Sequence, residues 1–396
     1  GALVSLGREG KKAPPLWGGA EDLGAQYRDM LGSLADRDYV LQLPDSSMGG
    51  EPEYAFKHNL EREALYKLLG QAPLRRMHLA VAEWMEPRFA SRSEEHCEML
   101  AEQYEQGGAP RRAAEMHIAA ADRARERYAN VKAATHYARG IALLGEDDPV
   151  RRIDALHNAG DVQQLAGFND EAIATFRQML ELSWRLDLRT KGGVAHNRIG
   201  RVYRAIGHLE EAMRYLGTGN ALFDSVGDQR GVASSLDDVG KVHWMRGAYD
   251  SAERFMAQSL EIRRELGDPR SIALSLNNIG LVYHDSGRFT EAARAWEEAL
   301  AIRREIGDRP GLSQTLNNLA TTFQDSGDHT RAADMWTEAL EVSRQVGDRM
   351  RTAVILTNLG ESYYRQGGPE RAIAVLREAE KMSSTQKGES LVDTAR

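Results

Sequence analysis

The most constraining feature of this sequence is a period of 40 residues that holds from about residue 150 to residue 385. Small residues keep this step at several positions of the repeat. One set, with alanine filling a single gap, is Gly160, Gly200, Gly240, Gly280, Ala320 and Gly360. A second set is Gly167, Gly207, Gly247, Gly287, Gly327 and Gly367. A fixed period of this length predicts a solenoid, in which each repeat packs against its neighbours and a long surface stays open.

Residues 271–308 show the content of one repeat most clearly. Apolar and small residues recur at helical spacing from Leu276 to Tyr283, and a second such stretch runs from Ala292 to Leu300. Gly287 lies between the two stretches, and glycine readily adopts the positive φ that ends a helix. Each repeat is therefore predicted to be two helices joined by a short turn.

The order of residue types resembles the tetratricopeptide repeat, in a longer-helix variant similar to that of kinesin light chains and Pins-type adaptors. The residues that carry the resemblance are Leu276, Ile279, Gly280, Tyr283, Gly287, Ala292, Trp296 and Ala299. The resemblance implies an all-α, right-handed superhelical solenoid of helix-turn-helix repeats, with six repeats over 150–385. Residues 91–149 repeat less regularly and are predicted to form an atypical helical lead-in. Residues 386–396 are predicted to be a polar tail.

The N-terminal part does not share the period. Residues 1–19 are predicted to be flexible, and residues 20–90 are predicted to combine helices with a β-hairpin whose strands lie at 39–43 and 53–56. This combination resembles a winged-helix module. The string EYAFKHNLEREALYKLL, followed by RRMHLAVAEWMEP, is similar to the segment that joins the ATPase core to the repeats in bacterial STAND-type signal-transduction ATPases. The resemblance implies a parent protein with a nucleotide-binding domain and an output domain such as a Ser/Thr kinase or cyclase.

Charge and composition argue against several classes of partner. The formal net charge is −8, so no global basic field attracts nucleic acid or anionic lipid. Cys97 is the only cysteine, which rules out an internal disulfide and fits a reducing compartment. No apolar run approaches the ~20 residues that span a bilayer. We therefore predict a cytoplasmic protein without membrane contact.

The sequence lacks the residue patterns of common catalytic sites. The phosphate-binding pattern GxxxxGK[ST] is missing, and residues 7–12 echo it only superficially. The adjacent His96 and Cys97 have no second ligand pair at a useful spacing, and zinc usually needs four ligands. We predict a chain with no catalytic residues, no metal and no cofactor.

Candidate partner-binding residues follow from the family resemblance, because the first helix of a tetratricopeptide repeat lines the concave groove. The residues at those positions are Asn197, Arg201, Arg204, Asp237, Lys241, Trp244, Asn277, Asn278, His284, Asn317, Asn318, Gln324, Asn358 and Tyr364. The recurring amides suit peptide capture, since an amide can both donate and accept a hydrogen bond. They could equally fix the stacking of adjacent repeats. Trp244 and Tyr364 are the predicted aromatic anchors, if they are exposed.

Three functions are compatible with these features. The leading hypothesis is an interaction or sensor module that captures a peptide or protein and belongs to a bacterial signal-transduction ATPase or kinase. The second is an inducer-sensing domain, for which Trp244, Asp237 and Asp238 are the visible cluster. The third is DNA-linked regulation through residues 20–70, which is disfavoured because acidic residues interrupt the basic ones. The oligomeric state is left open.

Overall fold

The computed structural model describes residues 23–44, 53–88, 94–146 and 148–394. The predicted flexible segment 1–19 lies outside these ranges. Contacts divide the chain between Leu182 and Ser183 into two compact units, which we call unit 1 and unit 2.

Unit 1 begins with helices around a small antiparallel sheet, as the sequence predicts. Val40 pairs with Phe56, and Leu41 pairs with Ala55. This part agrees with the predicted α+β segment, while its assignment as a winged helix stays a prediction. Its elements are α1 (Leu23–Asp36), β1 (Val40–Gln42), β2 (Tyr54–Phe56), α2 (Asn59–Leu69) and α3 (Gln71–Met85).

The rest of unit 1 is a succession of antiparallel helices. A short 3-10 turn at Glu86–Arg88 precedes them. Leu100 and Tyr104 pack with Trp84 in a core that also holds Met116, so the lead-in packs directly on α3. The helices are α4 (Glu94–Gln106), α5 (Pro110–Glu126), α6 (Asn130–Leu144), α7 (Pro149–Leu165) and α8 (Asn169–Arg185), the last of which crosses the division between the units.

A pair of histidines lies among α4, α5 and α6. His117 Nδ1 is 3.3 Å from His136 Nδ1, and the two rings are stacked. On their far sides, His117 Nε2 lies 3.3 Å from Glu105 and His136 Nε2 lies 2.8 Å from Glu98. Burial lowers the pKa of His117, and a charge on His136 lowers it further, against weaker opposition from nearby glutamates. Only one proton fits between the two Nδ1 atoms, because a second would bring two N–H groups into contact.

Unit 2 consists of helical pairs that keep the period of the sequence. Two 17-residue helices and two three-residue turns account for the 40 residues in the regular copies. The helices are α9 (Arg189–Ala205), α10 (Leu209–Ser225), α11 (Gln229–Met245), α12 (Tyr249–Glu265), α13 (Pro269–Asp285), α14 (Phe289–Glu305), α15 (Arg309–Asp325), α16 (His329–Val346), α17 (Arg349–Arg365) and α18 (Pro369–Thr394).

A Gly-Asp pair forms the turn between repeats. Gly227 has φ of 70°, a conformation that L-residues with side chains adopt only at a cost. The next residue, Asp228, accepts a 3.0 Å hydrogen bond from the backbone N–H of Gly231 and so caps α11. Asp308 and Asp348 cap α15 and α17 in the same way. One dipeptide therefore ends one helix and starts the next.

Glycine at the 40-residue step allows the two helices of a repeat to approach closely. A Cβ atom added at Gly280 would lie 2.5 Å from the indole of Trp296, well inside van der Waals contact. The same atom at Gly240 would lie 2.6 Å from Met256, and at Gly200 it would lie 2.7 Å from Leu216. These glycines therefore serve the packing of the helix pair.

The last helix, α18, continues past the sixth repeat to Thr394. The predicted polar tail from residue 386 falls largely on this helix, and its character as a tail stays a prediction.

We predict that Gly280→Leu destabilises α13 and α14 by about 1–3 kcal/mol, because the new side chain overpacks against Trp296. The measurement is hydrogen exchange of residues 269–305 in the full chain. The matched control is Gly217→Leu, since an added Cβ at Gly217 meets no atom within 4 Å. Equal effects of both changes on their own helices would contradict the close-approach argument.

We predict that α4, α5 and α6 lose stability as the pH falls below about 6.5. The depressed pKa keeps His117 neutral in the folded state at a pH where the unfolded chain already binds the proton, so acidification favours unfolding. The change His117→Gln should flatten this dependence, while His58→Gln, at an exposed histidine, should not. Hydrogen exchange corrected for its intrinsic pH dependence measures both, and an unchanged profile in His117→Gln would refute the assignment.

Candidate partner-binding face

The first helices of the repeats in unit 2 carry a continuous set of side chains, which we call the first-helix face. In α13 this face consists of Leu274, Asn278, Leu281 and Asp285. In the other first helices it consists of the residues that lie 40 or 80 positions before or after these four, on α9, α11, α15 and α17. This spacing places the side chains on one side of a helix. Consecutive first helices touch in the pairs α9–α11, α13–α15 and α15–α17. The face therefore extends over neighbouring repeats.

Side-chain hydrogen bonds join consecutive first helices in what we call the amide ladder. Asn277 Oδ1 accepts a bond of 3.2 Å from Asn318 Nδ2, and Asn277 also accepts one of 3.3 Å from Thr315. Each rung links residues 41 positions apart. The rungs are Asp237 with Asn278, Asn277 with Asn318, and Asn317 with Asn358.

The amide ladder bears on the two interpretations that the sequence left open. Asn277 and Asn278 are buried, and their polar atoms bond to the neighbouring repeat. Asn197 is also buried and donates a 2.8 Å bond to Ser235 of the next first helix. These amides hydrogen-bond between adjacent repeats, as the stacking interpretation expects. Their direct role in binding a partner stays a prediction.

The ladder changes from amides to charges between α9 and α11. Arg201 Nε donates a 2.5 Å hydrogen bond to Asp238, and Lys241 Nζ lies 2.8 Å from Asp237. Both aspartates are buried. Burial raises the pKa of Asp237, but Lys241, a second nearby cation and hydrogen bonds outweigh it and hold the pKa below its usual value. The inducer hypothesis relies on these two carboxylates, and the structure shows both engaged inside the protein.

A second set of contacts repeats at the C-terminal ends of the first helices. Trp244 Nε1 donates a 2.8 Å hydrogen bond to Asp285 of the next first helix. His284 lies at the same position one repeat later, and its Nε2 is 3.4 Å from Asp325. His284 Nδ1 also lies 3.0 Å from Thr322 Oγ1. Both predicted site residues are half-buried and are oriented by the following repeat.

Three other predicted site residues lie at the same position of the repeat as Trp244 and His284, and they differ in exposure. They are Gln324, Tyr364 and Arg204. Gln324 is buried, and its Oε1 lies 3.0 Å from His329 Nδ1. Tyr364 is 69% exposed, so of the two predicted aromatic anchors it is the one that solvent reaches freely. Arg204 is half-buried and forms no ion pair with any other residue that the structure describes.

Exposed apolar residues on the first helices escaped the sequence interpretation. Leu274 is 44% exposed and Met245 is 47% exposed, and Val354 repeats the position of Leu274 two repeats later. Leu274 and Val354 lie four residues before ladder positions, where an amphipathic helix usually carries polar groups. The signal in the sequence is an apolar residue at 274 and again at 354.

Unit 1 contains a polar cavity lined by charges of both signs. Its volume is about 1090 Å³, and its wall includes Arg62, Lys67 and Glu63. Lys57, in the 20–70 segment of the DNA hypothesis, forms a 2.6 Å ion pair with Asp38. The DNA hypothesis therefore gains no support from these contacts.

Within the described ranges, no helix combines the length and apolar character needed to cross a membrane. The same ranges contain no group of three or more histidine, cysteine, aspartate or glutamate side chains placed to hold a metal ion.

We predict that Asn277→Ala destabilises the contact between α13 and α15 by about 1–3 kcal/mol, because it leaves the half-buried amide of Asn318 and the buried hydroxyl of Thr315 without their acceptor. Hydrogen exchange in α15 measures this loss. The control is Thr357→Ala at the equivalent position, since Thr357 is exposed and bonds only to Ala353 of its own helix. An equal effect of the two changes would show that the rung contributes nothing.

Sequence-family models match the C-terminal part of the chain. One tetratricopeptide-repeat model matches residues 271–344 and 324–384, and another matches residues 232–268. A search of curated proteins found no significant match.

Solved structures share the fold at low sequence identity. A STAND protein with a tetratricopeptide repeat sensor from Pyrococcus horikoshii is 18% identical, with a TM-score of 0.53 over 96% of this chain and 56% of its own. A Rap protein in complex with competence and sporulation factor is 15% identical, with a TM-score of 0.53 over 83% and 92%. Aspartyl phosphate phosphatase F from Bacillus subtilis is 10% identical, with a TM-score of 0.55 over 91% and 88%.

The family models, the solved structures and the helical pairs agree on the nature of the repeats. Residues 232–268 and 271–384 therefore form tetratricopeptide repeats, and the solenoid built from such repeats is a non-catalytic protein-interaction module.

Proposed function

We propose that the first-helix face of unit 2 binds an extended segment of a partner protein or peptide. The observation that carries this proposal is the exposure of Leu274 and Met245 beside polar groups that the protein itself holds in place. Exposed apolar side chains rimmed by polar ones are typical of interaction surfaces. Specificity then depends on residues that vary from repeat to repeat.

The amide ladder supports this proposal indirectly. Its hydrogen bonds set the spacing of consecutive first helices, so the exposed side chains project from a rigid surface. A preorganised surface loses less conformational entropy when a partner binds. Asn277 and Asn317 would then serve binding by positioning their neighbours. The half-buried Trp244 and the exposed Tyr364 would contribute aromatic contact area.

We further propose a regulatory setting for this binding. The structural relatives include a STAND protein with a repeat sensor and a Rap protein bound to a signalling factor. This chain spans 56% of the STAND protein's length, and the string from Glu53 onward resembles the segment before the repeats in such proteins. A sensor attached to a cytoplasmic ATPase or kinase of bacterial type is the role that these likenesses favour.

We predict that a photo-cross-linking amino acid at position 274 captures one defined segment of a partner protein, because the side chain there lies on the first-helix face. Mass spectrometry of the cross-linked peptides identifies the segment. The matched control is position 266, where a leucine of similar exposure, 39% against 44%, follows the second helix α12. The same peptides captured at both positions, or none at 274, would contradict the proposal.

The inducer-sensing hypothesis is the second candidate, and it has a separate test. Trp244 and the two aspartates remain the cluster on which it depends, although Asp237 and Asp238 are engaged by cations. Calorimetry with a panel of sugars and other metabolites tests it directly. Heat of binding that disappears in Trp244→Ala, with no segment captured at position 274, would favour the sensor over the peptide-binding module.

A further inference from the structure

We infer that Arg204 binds an acidic side chain of the partner, because from α9 to α13 it is the one residue at its position of the repeat that has no aspartate 41 residues later. The inference rests on the proposed function, because it names the chemistry of the segment that the first-helix face would hold. It starts from the contacts at the C-terminal ends of the first helices.

In the next two repeats, the residue equivalent to Arg204 contacts an aspartate of the following first helix. Trp244 on α11 donates to Asp285 on α13, and His284 on α13 lies 3.4 Å from Asp325 on α15. Both pairs are separated by 41 residues, the same step as the rungs of the amide ladder. In each pair a nitrogen donor of one first helix meets an aspartate of the next.

The same step from Arg204 leads to Met245 instead of an aspartate. Met245 is 47% exposed, so the place of the carboxylate is taken by an accessible apolar side chain. Arginine is the strongest donor of this row, since its guanidinium matches a carboxylate with two parallel hydrogen bonds. The strongest donor therefore stands where the intramolecular acceptor is missing.

The surroundings of Arg204 supply no substitute. Its Nε is buried and makes no hydrogen bond, and the described residues provide it with no ion pair. The side chain as a whole is half-buried, so a ligand carboxylate would pair with the terminal N–H groups of the guanidinium and not with the enclosed Nε. Neighbouring Arg201 differs, because Asp238 already neutralises it at 2.5 Å.

The charge of α9 favours an acidic ligand. The helix carries five basic residues and no acidic one over 189–205. Its basic residues are Arg189, Lys191, Arg198, Arg201 and Arg204. The exposed Met245 beside Arg204 adds apolar contact area, which suits the side chain of an aspartate or glutamate within a peptide better than a free inorganic ion.

The test uses random peptides displayed on phage and selected against the full chain. We expect the selected peptides to be enriched in Asp and Glu at one position. Replacing that residue by its amide in a synthetic peptide should weaken binding about tenfold or more, as expected for a charged hydrogen bond. The change Arg204→Gln should remove this difference between acid and amide.

A second variant places the missing carboxylate in the protein. Met245→Asp should pair with Arg204, abolish the preference for an acidic residue, and raise the thermal stability of the chain in a salt-sensitive manner. The control Val354→Asp adds the same charge at another exposed apolar position of the first-helix face and should do neither. Gln at position 204 should cancel the stabilisation by Met245→Asp.

The outcomes separate the two levels of the proposal. If wild type selects peptides without an acidic preference, or if Met245→Asp keeps the preference, the role of Arg204 is refuted while peptide binding stands. If inorganic phosphate alone competes equally well with the peptides in wild type and in Arg204→Gln, another residue binds the acidic side chain, and the role of Arg204 is refuted. If no peptide is selected by any variant, the proposed function itself fails.

Discussion

The structure of the repeats depends on the close contact between the two helices of each pair. A Cβ atom at Gly280 would lie 2.5 Å from Trp296, so the large side chain fills the space that the glycine leaves. The indole N–H of Trp296 also donates to the backbone carbonyl of Asn277, which anchors the ring on the first helix. Because five of the six repeats have a glycine at this contact and the other has Ala320, the first helices lie at a constant spacing, and contacts between repeats can recur at a fixed step.

The constant spacing explains why the inter-repeat contacts recur 41 residues apart. The amide ladder uses that step on one side of the first helices, and Trp244 and His284 use it at their C-terminal ends. Polar groups buried in this way must be paired, because an unpaired donor or acceptor is costly. These contacts therefore fix how adjacent repeats stack. A position where the expected contact is missing then indicates a group that the protein itself does not pair. Arg204 lies at such a position, and it identifies where a partner could complete the row.

The helix pairs, the turns and the β-hairpin could be predicted from local signals. Gly227 and Asp228 end one helix and cap the next with interactions that span only a few residues, so the sequence contains all the information needed. The role of the recurring asparagines could not be predicted in this way. The sequence shows the same asparagine at 277 whether its side chain faces a ligand or Asn318, because both partners offer the same hydrogen-bonding groups. The exposed Leu274 was overlooked for a related reason, as burial depends on neighbours that are distant in sequence.

The sequence by itself determined that residues 150–385 form a repeating array of helix pairs, because small and large residues recur at one step and mark where each helix packs on the next. It also located the candidate surface on the first helices. Only the tertiary structure decided which side chains on that surface form hydrogen bonds between adjacent repeats and which remain accessible to a partner. That distinction depends on the offset between neighbouring repeats, which brings Asn277 against Asn318, and no local pattern encodes it.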